Sequence, residues 1–162
     1  MSCMTECLLA SGFLGSSLYM MLTNKNSSGY SKLFNSLSKE KKEAFKKIKK
    51  ERMIIWLKAT LFGIFASITF SKFGKQIFGS ENIFNRSCIN TLIFFSIQYI
   101  VYIIHPKSDW MLNHVENNAQ AKAWLSKYKY MQRKWHIGIV YGVIGYFLLN
   151  MTLFKSNLVK LA

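Results

Sequence analysis

Hydrophobic and polar positions along this chain fall in long alternating blocks. Apolar residues gather at 7–23, 53–70, 88–104 and 136–154, and charged residues gather between them. A span needs roughly 17–25 predominantly apolar residues to cross a hydrocarbon core of about 30 Å, and each block is near or within that range. The polar intervals are patterned too. Leu33, Phe34, Leu37, Ala44, Phe45 and Ile48 recur at spacings of three, four and seven, one stripe of a helix. Ser36 or Ser38 can cap that helix and Glu40 suits its dipole, which predicts one helix from about Ser38 to Phe70. At 1.5 Å per residue it is about 50 Å long, so part of it stands at or above the interface. Trp110, His114, Asn117, Ala121, Trp124, Tyr128, Met131 and Trp135 form a second, heptad-like stripe, with Ser108 or Asp109 as its cap. Asn24 to Gly29 reads as a turn, 71–87 as a polar link, and His105-Pro106 as the end of the third block. The prediction is an all-α, polytopic membrane protein forming one domain over 1–162. Its four transmembrane helices make two hairpins, with basic amphipathic linkers at 30–52 and 108–135 extending them as helices.

Small residues mark the faces on which such helices pack. Gly12 and Gly15 stand in small-xxx-small spacing with Ser16 and Ser11. Ala59, Gly63, Ser67 and Ser71 stand four apart, and Gly138, Gly142 and Gly145 form a close-packing face in the fourth block. A shift of 79 residues sets Trp56 on Trp135 and Gly63 on Gly142, the pattern of two parallel repeats.

Charge then orients the spans. The net charge is +15, and of 22 Lys and Arg, ten lie in 24–52 and six in 105–135. Cationic loops stay cytoplasmic, so those two intervals are expected inside and both termini outside. The residues expected to meet anionic lipid, or an acidic protein or nucleic acid under the membrane, are Lys39, Lys41, Lys42, Lys46, Lys47, Lys49, Lys50 and Arg52 in the first linker. In the second they are Lys122, Lys127, Lys129, Arg133 and Lys134. Lys58 lies inside the second apolar block and is expected to snorkel back to the same surface.

Chemistry adds little to this picture. There is no Gly-rich phosphate loop, HExxH or GxSxG, and seven Asp and Glu leave few groups for acid–base work. No cofactor, metal site or catalytic residue is expected, although His105, Asp109 and His114 fall near one another. Cys3, Cys7 and Cys88 lack metal spacing; a bridge from Cys3 or Cys7 to Cys88 would tie the first and third spans on an oxidising face. Asn26, Asn85 and Asn150 begin sequons, with only Asn85 on the outer side. No basic n-region precedes the first block, so it is expected to remain in the mature chain.

The segments YSKLFNSLSKE, IKKERM, HPKSDWMLNH and AWLSKYKYMQRKWHIG resemble small membrane proteins of giant DNA viruses. That resemblance implies a virion membrane or a remodelled host membrane and carries over no catalytic residue. The leading expectation is a non-enzymatic structural or interaction protein, able to form homo-oligomers. The alternative is an oligomeric channel lined by Gln98, Tyr99, Tyr102, Asn150 and Lys58.

Overall fold

A computed structural model describes residues 3–23, 28–78 and 82–159, with side chains described at 4–23, 31, 33–73 and 82–156. Five α-helices account for most of it: α1 (Cys3–Leu22), α2 (Ser28–Ser36), α3 (Lys39–Phe78), α4 (Ile83–Ile104) and α5 (Asn118–Val159). A single 3-10 turn, Met111–His114, sits between α4 and α5, and the described residues contain no strand. Three helices, α3, α4 and α5, are long and apolar enough to cross a membrane. α1 is not among them: its 20 residues include Glu6 and five Ser or Gly, which dilute the apolar run.

Several expected boundaries move. α3 continues past Phe70 to Phe78, so most of the expected 71–87 link is helical. α4 begins at Ile83, where the Asn82 side chain accepts from the Phe84 N–H at 2.9 Å and supplies the cap. Of the expected turn at 24–29, residues 24–27 lie outside the described residues, while Ser28 and Gly29 open α2. The second basic helix does not begin at Ser108 or Asp109. Asp109 instead folds a local turn, accepting from the Trp110 N–H at 2.7 Å and Asn113 Nδ2 at 3.1 Å. Asn117 then caps α5, accepting from the Gln120 N–H at 2.8 Å. The break splits the expected aromatic stripe, and residues 110–117 do not share the helix phase of 121–135.

The helices pair across the two halves of the chain. α1 makes its most extensive contact with α5, while α3 lies along α4, and α4 also packs on α5. The expected first hairpin, α1 against α3, is not the dominant pairing. Paired residues descend in register: Ser17 meets Gly138 while Glu6 meets Lys155, and Thr60 meets Gln98 while Ser67 meets Asn90. Both pairings are therefore antiparallel; α4 is also antiparallel to α5, with Arg86 over Phe154 and Phe94 stacked on Tyr146, so α3 and α5 run in one direction. Ser67 and Tyr146, which share a hydrogen bond, are 79 residues apart, the shift expected to align the two halves.

Absent side chains set the separations. A Cβ on Gly145 would lie 2.9 Å from the Leu14 backbone nitrogen, and one on Gly63 would lie 3.0 Å from the Phe94 carbonyl oxygen. Gly138 and Gly142 face Met21 and Ser17 in the same way. Ser17 Oγ uses this proximity to donate to the Gly138 carbonyl at 2.6 Å. Ala59 is fully buried and Ser67 nearly so. Gly12 and Gly15 have open space around them, so the expected seam on α1 is not used among the described residues.

A polar network joins α3, α4 and α5. Ser67 Oγ donates to Asn90 Oδ1 at 2.9 Å, and Asn90 Nδ2 donates to Asn150 Oδ1 at 2.9 Å and to Ser71 Oγ at 3.3 Å. Asn150 Nδ2 donates to Thr91 Oγ1 at 3.3 Å, and Thr91 Oγ1 donates to the Ser87 carbonyl at 2.7 Å. The buried amides of Asn90 and Asn150 are thus joined by one bond across two helices, and Ser67, Ser71 and Thr91 meet their other groups, which offsets their desolvation.

Two outcomes are expected from unfolding in detergent. Gly145→Ala lowers stability by about 1–3 kcal/mol through overpacking, while Gly12→Ala leaves it unchanged or slightly raised. A double-mutant cycle of Asn90→Ala and Asn150→Ala gives a coupling of about 0.6–1.7 kcal/mol, the range of interhelical bonds in membrane bundles.

Candidate functional site

The basic intervals meet at one end of the apolar stretches. Leu33 of α2, Leu37 just past its end, Phe45 of α3 and Met111 of the 3-10 turn are buried together, with Phe34, Ile48, Ala123 and Trp124 packed around them. The residues reach one another because Leu33 and Leu37, four apart, bracket the end of α2 while Phe45 and Ile48 occupy one face of α3. Gln120 ties α5 to the end of α2 by donating to the Ser36 carbonyl at 2.9 Å.

Polar bonds fix the connection 105–117 against α3. Arg52 Nη2 donates to the Asp109 carbonyl at 2.6 Å, and its guanidinium lies 4.8 Å from the Trp110 ring centroid. Both Glu51 oxygens are taken by Ser108, one by its N–H at 2.8 Å and one by its hydroxyl at 2.9 Å. Lys41 pairs with Glu116. His114 Nε2 lies 2.6 Å from Asp109 Oδ2, and that bond, with those from Trp110 and Asn113, holds the Asp109 carboxyl below its ordinary value. Asp109 and His114 have a structural part here, folding the turn. Among the described residues no three His, Cys, Asp or Glu are grouped to hold a metal.

The thirteen cations expected to meet a partner divide into two sets. Five are engaged within the fold: Lys41 with Glu116, Lys42 over Phe34, Arg52 as above, Lys127 and Lys134. Lys134 donates to the Thr23 carbonyl at 2.9 Å and so closes the end of α1, as Lys107 closes α4 through the Tyr102 and Ile103 carbonyls at 3.0 and 3.1 Å. Lys127 is only 3% exposed, with its ammonium 3.7 Å from the Phe45 ring centroid. Burial, with repulsion from Lys49, lowers its pKa to about 8. The other eight, Lys39, Lys46, Lys47, Lys49, Lys50, Lys122, Lys129 and Arg133, are exposed and have no ion pair among the described residues.

Other sequence expectations fall as follows. Lys58 is exposed and shares an open cleft with Lys47, Lys50 and His105 at this basic end. Gln98 donates to Thr60 Oγ1 at 2.7 Å and Asn150 is buried in the polar network, so these two residues join helices inside one chain. Cys7 and Cys88 are free thiols, which corrects the expected bridge between those two; the Cys3 side chain lies outside the described residues. Sequence reasoning missed the inward turn of Lys127 and Arg52. The signal for Lys127 was its position seven residues after the buried Gln120, on the same helix face as Ala123 and Trp124.

The Lys127 shift has a sign that can be measured. The unfolded chain binds more protons than the folded one between about 8 and 10.5, so stability rises as pH is raised through that window. Below about 8 the penalty of the buried charge is fully present. The expected outcome is that Lys127→Met removes this slope, read as the difference between variant and wild-type unfolding in detergent across that range. The Asp109 contribution has the same direction in a more acid window: it is present above the ordinary carboxylate range and is lost as pH falls through the lowered folded value.

Compared with family models, curated proteins and solved structures, the chain matches none of them.

Proposed function

We propose that this chain is a four-span, non-enzymatic membrane protein whose cytoplasmic basic end is a docking platform for anionic surfaces, with a structural or interaction role. The observation that carries the reading is the joining of two basic intervals around one apolar cluster, with eight cations left outward and unpaired among the described residues. A platform of this kind attracts anionic lipid headgroups, at about 1 kcal/mol per basic residue near such a surface. Acidic protein or nucleic acid held under the same membrane meets the same charges. The resemblance noted in the sequence fits a virion membrane or a host membrane altered during assembly.

Support for α1 as the fourth span comes from its partner. α1 lies antiparallel to the apolar half of α5, from Glu6 on Lys155 at 2.6 Å to Thr23 on Lys134. Where 136–154 crosses a bilayer, α1 covers the same depth. Its outward face is apolar, with Leu8, Leu18, Tyr19 and Leu22 exposed, as a lipid-facing surface requires. With α3 and α5 running one way and α1 and α4 the other, both basic intervals lie on one side, opposite the described N-terminal end of α1.

Two measurements test the reading. Full-length protein is expected to resist alkaline extraction, with single cysteines at positions 46 and 129 labelled from the same side and one at 82 from the other; recovery in the aqueous fraction defeats it. In mixed bilayers, spin-labelled anionic lipid is expected to be enriched around the protein. Changing Lys39, Lys46, Lys49, Lys122 and Lys129 to Gln reduces that enrichment, and high salt does the same.

A further inference from the structure

We infer that the cleft at the junction of the charged and apolar halves of α3 binds the headgroup of one phosphomonoester phospholipid. The inference rests on the membrane reading above, and it gives one position on the platform a defined ligand. The cleft has a volume of about 270 Å³ and is lined by Lys47, Lys50, Glu51, Ile54, Ile55, Lys58 and His105. The cleft is open along much of its surface and admits a group the size of a phosphate.

Four features select the ligand. Lys47, Glu51, Ile54 and Lys58 recur at three and four residues, so they fall on one face of α3. Lys47, Lys50 and Lys58 are exposed, and none has an ion-pair partner among the described residues. Glu51, the single acid in the cleft, has both oxygens occupied by Ser108, so it forms no ion pair with the three lysines, although its charge offsets one of theirs. His105 Nδ1 donates to the Pro106 carbonyl at 3.0 Å, which leaves Nε2 as its remaining ring nitrogen for a ligand. The cleft therefore presents three ammonium groups free of ion pairs, with a net charge of +2 once Glu51 is counted, over an apolar floor of Ile54 and Ile55.

The surroundings say that the anion carries an acyl chain. One turn beyond Lys58, Leu61, Phe62 and Phe65 are exposed at 65%, 58% and 72%, and Ile104 beside His105 is exposed at 74%. This apolar track continues the floor of the cleft away from the charged end. A free phosphate has no use for it, whereas a phospholipid places its phosphate on the lysines and its chain along the track. A monoester carries more charge than a diester and offers three oxygens to three donors, so it matches the cleft better than a diester headgroup.

Full-length protein in phosphatidylcholine nanodiscs containing a few mole per cent phosphatidic acid tests this by native mass spectrometry of the retained lipid. One phosphatidic acid is expected per chain. Lys47→Ala, Lys50→Ala and Lys58→Ala together weaken its retention about tenfold or more, while Lys46→Ala, Lys122→Ala and Lys129→Ala, which remove equal charge elsewhere, change it less than about threefold. Ile54→Trp fills the cleft without altering charge and is expected to release the lipid too, which keeps the test valid if the triple variant misfolds. Equal loss in both triples overturns the site in favour of diffuse attraction and leaves the platform reading standing. Retention of phosphatidylglycerol as strong as that of phosphatidic acid overturns the monoester assignment. Displacement by inorganic phosphate at equal concentration overturns the lipid assignment. Failure to incorporate into the bilayer overturns both this site and the membrane reading.

Discussion

Two helical segments rich in lysine repel each other, and the arrangement of the whole chain depends on what holds them together. Leu33, Leu37, Phe45 and Met111 supply that attraction, at roughly 1.5–3 kcal/mol for each large side chain removed from water. The cluster is small, so charge must also be managed near it. Arg52 points its guanidinium at a carbonyl and a Trp ring, and Lys42 and Lys127 lie over aromatic rings. Glu116 takes up Lys41. Each arrangement removes a cation from the shared surface between the segments. The eight that remain point outward, where solvent and salt screen their mutual repulsion.

A different force operates along the apolar stretches. Between helices already in lipid, apolar contact drives little association, so close approach and hydrogen bonding decide the pairing. Gly145 and Gly63 meet the backbone of a neighbouring helix, and the Asn90–Asn150 pair with Ser67 and Tyr146 binds three helices at one level. The two ends thus solve separate problems, one by burying carbon and the other by pairing amides and excluding side chains.

The large features were legible because they rest on block composition. The helical class, the long α3 and the glycine face of α5 follow from apolar runs, few breakers and small-residue spacing. Local competition hid the rest. Asp109 can either cap a helix or fold a turn, and only its neighbours Asn113 and His114 decide for the turn. The halves could pair within themselves or across, and small-residue spacing alone does not choose: Gly12 and Gly15 carry the same signal as Gly142 and Gly145 yet face open space. A lysine count likewise assigns every cation outward, whereas Lys127 occupies an inward helix position and must bury its ammonium against Phe45. The cleft was half visible, since Lys58 was expected near the charged end, but His105 enters it from a distant part of the chain.

α3 and α5 pass from their charged halves into their apolar halves without interruption, over 40 and 42 residues, or about 60 Å each at 1.5 Å per residue. A rod with no joint cannot tilt at one end alone. A load applied at the outer half becomes a torque on the inner half, where Gly63 and Gly145 leave little slack before backbones collide. The two long helices therefore act as levers, coupling whatever presses on the lysine-bearing end to the angle at which the greasy end sits among its neighbours.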